Sequence, residues 1–142
     1  MKTNPITIGT LISAPVEKVW DFWVEPAHIM RWAFASSDWE CPHAENDLQV
    51  GHQFLTRMAA KDGSYSFDIV GTYTALQVQH LIGYDMADGR SVSVIFESVP
   101  EGTKVTQSFD PESQNSRELQ ESGWQSILNN FKHYVENGRS LF

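Results

Sequence analysis

Apolar residues recur along this chain at two spacings, and the places where one gives way to the other mark out its elements. Ile6, Ile8, Thr10 and Ile12 alternate as in a strand that ends at Ser13-Ala14-Pro15. Val16, Val19, Trp20 and Trp23 then recur on one helical face, with Pro15 suited to the first helical position and Glu17 to the first turn. Pro26 breaks that helix and opens a second short one, Pro26 to Ala33, which turns Ile29 and Trp32 to the same side. From Trp39 onward the period is two again. Asp62-Gly63, Asp88-Gly89 and Pro100-Glu101-Gly102 punctuate runs rich in Val, Ile, Phe, Tyr and Thr, which predicts a meander of about six strands. Val92, Val94 and Phe96 share one strand face, as do Val105, Gln107 and Phe109, and Phe54 with Met58. The opposite face carries Ser91, Ser93 and Glu97, or Lys104, Thr106 and Ser108.

The last stretch, Ser116 to Asn137, reads as one long helix. Leu119, Gly123, Trp124, Ile127, Leu128, Phe131, Tyr134 and Val135 fall within about half its circumference, a stripe wide enough for a broad curved surface. Asp110-Pro111-Glu112 offers an alternative start, with an N-cap, a first-turn proline and an acid at the positive end of the helix dipole. Gly123 costs about 1 kcal/mol of helix propensity relative to Ala, which predicts a close approach to the backbone at that point. An antiparallel sheet with one face to cover, and a wide amphipathic helix to cover it, gives an α+β fold: a curved sheet wrapped around the C-terminal helix, with two short helices after the first strand.

Composition narrows the class. The 142 residues, with no repeat, low-complexity tract or linker, read as a single domain over 1–142. A domain of this size buries roughly 68–70% of its unfolded surface and needs no staple. No apolar run approaches the ~18 residues of a membrane span, the N-terminal MKTNPITIGT has no apolar signal region, and the lone Cys41 has no internal disulfide partner. A cytoplasmic setting is expected, with no membrane association. The net charge of −8 repels phosphate backbones, so nucleic acid is not expected as a partner. The acid is uneven: Trp32 to Thr56 holds no Lys or Arg, but holds Asp38, Glu40, Glu45 and Asp47. That stretch is either a solvated negative strand edge or a docking surface for a basic protein.

The motifs Ala14-Pro15-Val16-Glu17-Lys18-Val19-Trp20, Trp32, Asp47-Leu48-Gln49-Val50-Gly51, Phe96 with Gly102-Thr103, and Gly123-Trp124 with Leu128, Phe131 and Tyr134 resemble the START-like helix-grip superfamily. More narrowly they resemble the branch related to the C-terminal domain of activators of the heat-shock protein 90 ATPase. The resemblance implies a seven-stranded antiparallel sheet curled around the long helix, an internal cavity between them, and a link to the stress response. In the wider superfamily such cavities take lipids, sterols, hormones or polyketides, and a minority of members are cyclases or ring-hydroxylating subunits. Two positions depart from the pattern: Gln49 stands where Arg is common, and His52 where a second Gly is common. The chaperone activators also carry a separate N-terminal domain, and none is expected within these 142 residues.

Few residues suggest covalent chemistry. Cys41 and His43, two apart on a strand, would share a face and form a thiolate–imidazole pair, but the intervening Pro42 suits an edge or a bulge. The plainer account is a small buried Cys beside a surface His. The histidines at 28, 43, 52, 80 and 133 show no metal-ligand spacing, and no GxSxG, P-loop or GxGxxG occurs, so no metal and no cofactor are expected. What remains is an aromatic and methionine lining with a few polar groups: Trp20, Trp39, Phe54, Met58, Tyr84, Met86, Phe96, Phe109, Trp124 and Phe131, with Cys41, His43, Tyr65, Tyr73 or Gln120 as polar contacts. Such residues also serve as ordinary packed core. The leading expectation is binding of a small, largely apolar molecule between sheet and helix, without covalent chemistry, by a monomer or weak homodimer. A protein-interaction module with a partner such as a chaperone is the rival, and a cyclase- or hydratase-type enzyme comes third.

Overall fold

Strand alternation and turn chemistry produce the expected layers. The computed structural model describes residues 4–142. In chain order the elements are β1 (Ile6–Ile12), α1 (Val16–Val24), α2 (Pro26–Ile29), β2 (Trp39–Asn46), β3 (Gln53–Ala60), β4 (Ser66–Gln77), β5 (Leu81–Met86), β6 (Ser91–Val99), β7 (Gly102–Phe109) and α3 (Arg117–Asn137). All strand pairs are antiparallel in one seven-stranded sheet of order β1-β7-β6-β5-β4-β3-β2, curled as a half-barrel. The first strand therefore lies beside the last, with Ile8 opposite Gln107 and Ile12 opposite Thr103. Gly102, at φ 141°, permits this: a Cβ there would collide with the carbonyl oxygen of Ile12.

The concave face buries Ile6, Ile8 and Ile12 of β1, Val105 and Phe109 of β7, and Val92, Val94 and Phe96 of β6. Helix α3 packs along β1 with Leu128, Phe131, Tyr134 and Val135 buried. Its polar side chains also serve the sheet edge. Gln125 and Lys132 donate to the carbonyls of Gly9 and Leu11, and Glu136 accepts from the backbone N–H of Ser13 at 2.8 Å. Such bonds occupy groups that an edge strand would otherwise leave open to another chain. Along the same stretch of the helix, Trp23, Trp32 and Phe131 pack edge-on or tilted, with centroids 4.7–5.0 Å apart.

Three local readings change, and the choice between two starts for the last helix falls to Ser116. Helix α2 ends at Ile29, short of Ala33; a turn continues, and the Trp32 indole is pinned inward by donating to the Phe22 carbonyl at 2.9 Å. Helix α3 starts at Arg117, where the Ser116 hydroxyl caps it by accepting from the Leu119 N–H; Asp110 is used elsewhere, accepting from the Ser91 N–H at 2.9 Å. Leu119, assigned to the buried stripe, is 61% exposed, and the side chain that the first turn of α3 buries is that of its neighbour Gln120. Gly123 has no close neighbour: nothing lies within 4 Å of where its Cβ would stand.

Candidate functional site

The space beside Gly123 belongs to a cavity of about 590 Å³, partly open to solvent, between α3 and the strands that α3 does not cover. Its roof is Gly123, Trp124, Ile127 and Leu128; its floor is Phe54 and Met58 of β3, Tyr73 of β4, and Ile82, Tyr84 and Met86 of β5. Trp23, Ile29 and Trp32 border one end, and Arg90, Glu112 and Gln120 the end near the start of α3. Trp124 lies flat against Phe109, with centroids 3.8 Å apart and planes inclined by 8°. That stack fixes the indole at the boundary between packed core and open space. Phe54 meets Tyr84 edge-on at 4.8 Å.

The candidate residues divide between this cavity and other places. Phe54, Met58, Tyr84, Gln120 and Trp124 line it, as do Tyr73 and Met86. Trp20, Phe96 and Phe131 are buried in the packed core, where Trp20 and Phe96 meet edge-on at 5.2 Å. Trp39 sits at the sheet's end against Tyr65 and Phe67. Cys41 and His43 do not pair. The β2–β3 register shifts between Glu40 and His43, and this irregularity undoes the two-residue alternation. Cys41 joins the buried core, while His43 stands outside with its Nε2 2.6 Å from Glu45. Burial pushes the Cys41 thiol up to about 11, despite bonds to the backbone of His43 and Arg57 that act the other way. It is not an activated nucleophile.

Polar groups on the cavity wall are mostly hydroxyls and amides. The Tyr73 hydroxyl donates to Asn46 Oδ1 at 2.5 Å, and Asn46 Nδ2 donates to the Val24 carbonyl at 2.7 Å, tying the sheet to α1. Burial raises Tyr73 to about 12, against the lowering effect of the Asn46 bond. Burial likewise pushes Tyr84 well above the ordinary tyrosine range, reinforced by Tyr73 and opposed by the charge of Arg90, so its hydroxyl is a neutral donor near pH 7. Gln120 reaches the cavity, but its amide is committed: it accepts from the Glu112 N–H and donates to the carbonyls of Glu112 and Asn115. Arg90 Nε lies 2.8 Å from Asp88. Thr56, Arg90, Asn46 and Gln107 also line the cavity, and sequence reasoning did not place them there. For Gln107 a signal existed, a carboxamide between Val105 and Phe109 on an otherwise apolar strand face. Among the described residues no three His, Cys, Asp or Glu side chains converge as metal ligands. The arrangement offers apolar surface with hydroxyl and amide groups set into it, and the charged side chains of Asp68, Asp88, Arg90 and Glu112 also border it, which suits holding and orienting a molecule.

A curled antiparallel sheet gripping a long C-terminal helix, with a cavity between them, defines the START-like helix-grip class. Within that class, the family described as "Activator of Hsp90 ATPase homolog 1-like protein" matches residues 13–136, and the chain belongs to this family. No curated protein matches it. Among solved structures, an AHSA1-like protein from Aeromonas hydrophila is 45% identical with a TM-score of 0.90, the match covering 94% of this chain and 93% of that one. A protein from Cytophaga hutchinsonii is 51% identical with a TM-score of 0.82, over 96% and 94% of the two chains. A protein from Chromobacterium violaceum, 20% identical with a TM-score of 0.84 over 94% and 99%, shares the fold.

Proposed function

We propose that this protein binds a small, largely apolar molecule between its sheet and α3, as a cytoplasmic carrier or sensor without covalent chemistry. The observation that carries the reading is the cavity itself. At about 590 Å³ it falls within the ~300–1,000 Å³ of small-molecule sites, and a glycine in the covering helix keeps its roof open. Trp124 provides the assay. Titration with phenanthrene should change tryptophan emission in a saturable way, and Trp124→Phe should remove most of that change while preserving the circular dichroism spectrum. Met58→Trp, which puts bulk on the floor, should weaken binding. If emission does not saturate at micromolar phenanthrene and Met58→Trp only unfolds the protein, the cavity is not a binding site.

A co-chaperone-like interaction module is the second reading, and family membership favours it. The acidic stretch gives it less support than its charge count suggests. Glu45 is bonded to His43 at 2.6 Å, and Asp47 to His52 at 2.6 Å and to Gln49 at 3.1 Å, so two of its acids already have partners within the chain.

A further inference from the structure

Gln107 is the most informative group in the cavity wall. Its residue is 7% exposed, on the concave face of β7 between Ile8 and Val94, and it lines the cavity. Its carboxamide makes no hydrogen bond within the chain, and none of its polar atoms is walled off from the cavity space. Thr56, 9% exposed on β3, lines the same space with a hydroxyl that is likewise unbonded, as is that of Tyr84 on β5. Buried polar side chains are ordinarily satisfied by a protein group or an ordered partner, so three such groups facing one cavity call for an occupant that answers them.

We infer that the molecule held here is apolar in body, neutral, and oxygenated: it carries a hydroxyl or carbonyl group that hydrogen-bonds Gln107, with Tyr84 and Thr56 available to further oxygens. The inference rests on the cavity being a binding site, and deepens that reading. A carboxamide presents a donor and an acceptor together, so a hydroxyl, which also does both, satisfies either end. A carboxylate answers only the Nε2 donors and leaves its charge against the Gln107 oxygen and an apolar wall, where burying it is costly. The nearest cation on the wall, Arg90, is already engaged by Asp88, and the net charge of −8 adds to the penalty for an anion. A pure hydrocarbon fits the apolar surface but strips the water from the carboxamide without replacing it.

Calorimetric or fluorescence titration with naphthalene, 2-naphthol and 2-naphthoate separates these cases, because the three share one ring system. The parent should bind 2-naphthol roughly three- to tenfold more tightly than naphthalene, the span of one neutral hydrogen bond, and 2-naphthoate most weakly. Gln107→Leu should abolish the preference by weakening 2-naphthol and leaving naphthalene equal or tighter. If that variant does not fold, Gln107→Met, with a flexible chain of similar length, serves in its place. Equal binding of all three probes, tightest binding of 2-naphthoate, or an unchanged preference in the variant overturns the inference while leaving the binding site standing. Failure of every probe to bind overturns both.

Discussion

Replacing Gly123 by Ala should stabilise this protein. The residue lies inside α3, where glycine costs about 0.8–1.0 kcal/mol relative to alanine. The gain would be lost if the new methyl met packed atoms, since overpacking costs typically 1–3 kcal/mol. It meets none: nothing lies within 4 Å of the added Cβ. The net effect is therefore a gain of about 1 kcal/mol, which in a domain of this size raises the melting temperature by roughly 3 °C. Gly123→Leu should also fold, because leucine is a good helix former and its side chain enters the cavity, but it should weaken phenanthrene binding by occupying that space. Gly102→Ala is the contrast. There a Cβ meets the backbone carbonyl of Ile12, and φ of 141° disfavours any L side chain, so a loss of more than about 2 kcal/mol is expected. Thermal unfolding followed by circular dichroism measures all three. If Gly123→Ala melts below the parent, the space beside α3 does not exist and the cavity reading fails with it.

Two further outcomes follow from the same geometry. Cys41, buried and neutral, titrates at about 11 in the folded chain against 9.0 for the free thiol, so between these values the unfolded chain has lost a proton that the folded one retains. Stability should therefore fall as pH rises from about 9 to about 11, and a Cys41→Ser variant should show a shallower fall; near pH 8, iodoacetamide should modify the thiol only after denaturation. Changing Glu40, Glu45 and Asp47 together to Gln or Asn should shift stability by about 1 kcal/mol at most and leave phenanthrene affinity unchanged, since exposed ion pairs contribute little. Loss of a specific chaperone from pull-downs with that variant would favour the interaction module over ligand binding.

Much of this fold is local and could be read from the chain. The alternation of Ile6, Ile8 and Ile12 and the glycine turns report side-chain direction within single elements, and the strands and α3 follow from them with shifts of only a residue or so at the ends of α3. Order along the chain, two short helices between a first strand and a meander, then places the family. Half of the candidate site was legible on the same grounds: Phe54, Met58, Tyr84 and Trp124 lie on inward faces that happen to border open space. Trp20, Phe96 and Phe131 lie on inward faces too, but against filled space. Periodicity gives a residue's direction and carries no information on whether an atom waits at the end of it. The register shift in β2 that parts Cys41 from His43 depends on pairing with β3, and the gap over Gly123 depends on where α3 comes to rest across strands fifty residues or so earlier in the chain. Gln107 shows both sides of this division. The sequence placed a polar side chain on an apolar strand face, and only the tertiary structure left it without a partner, because it set that side chain against open cavity space under α3 instead of packed atoms.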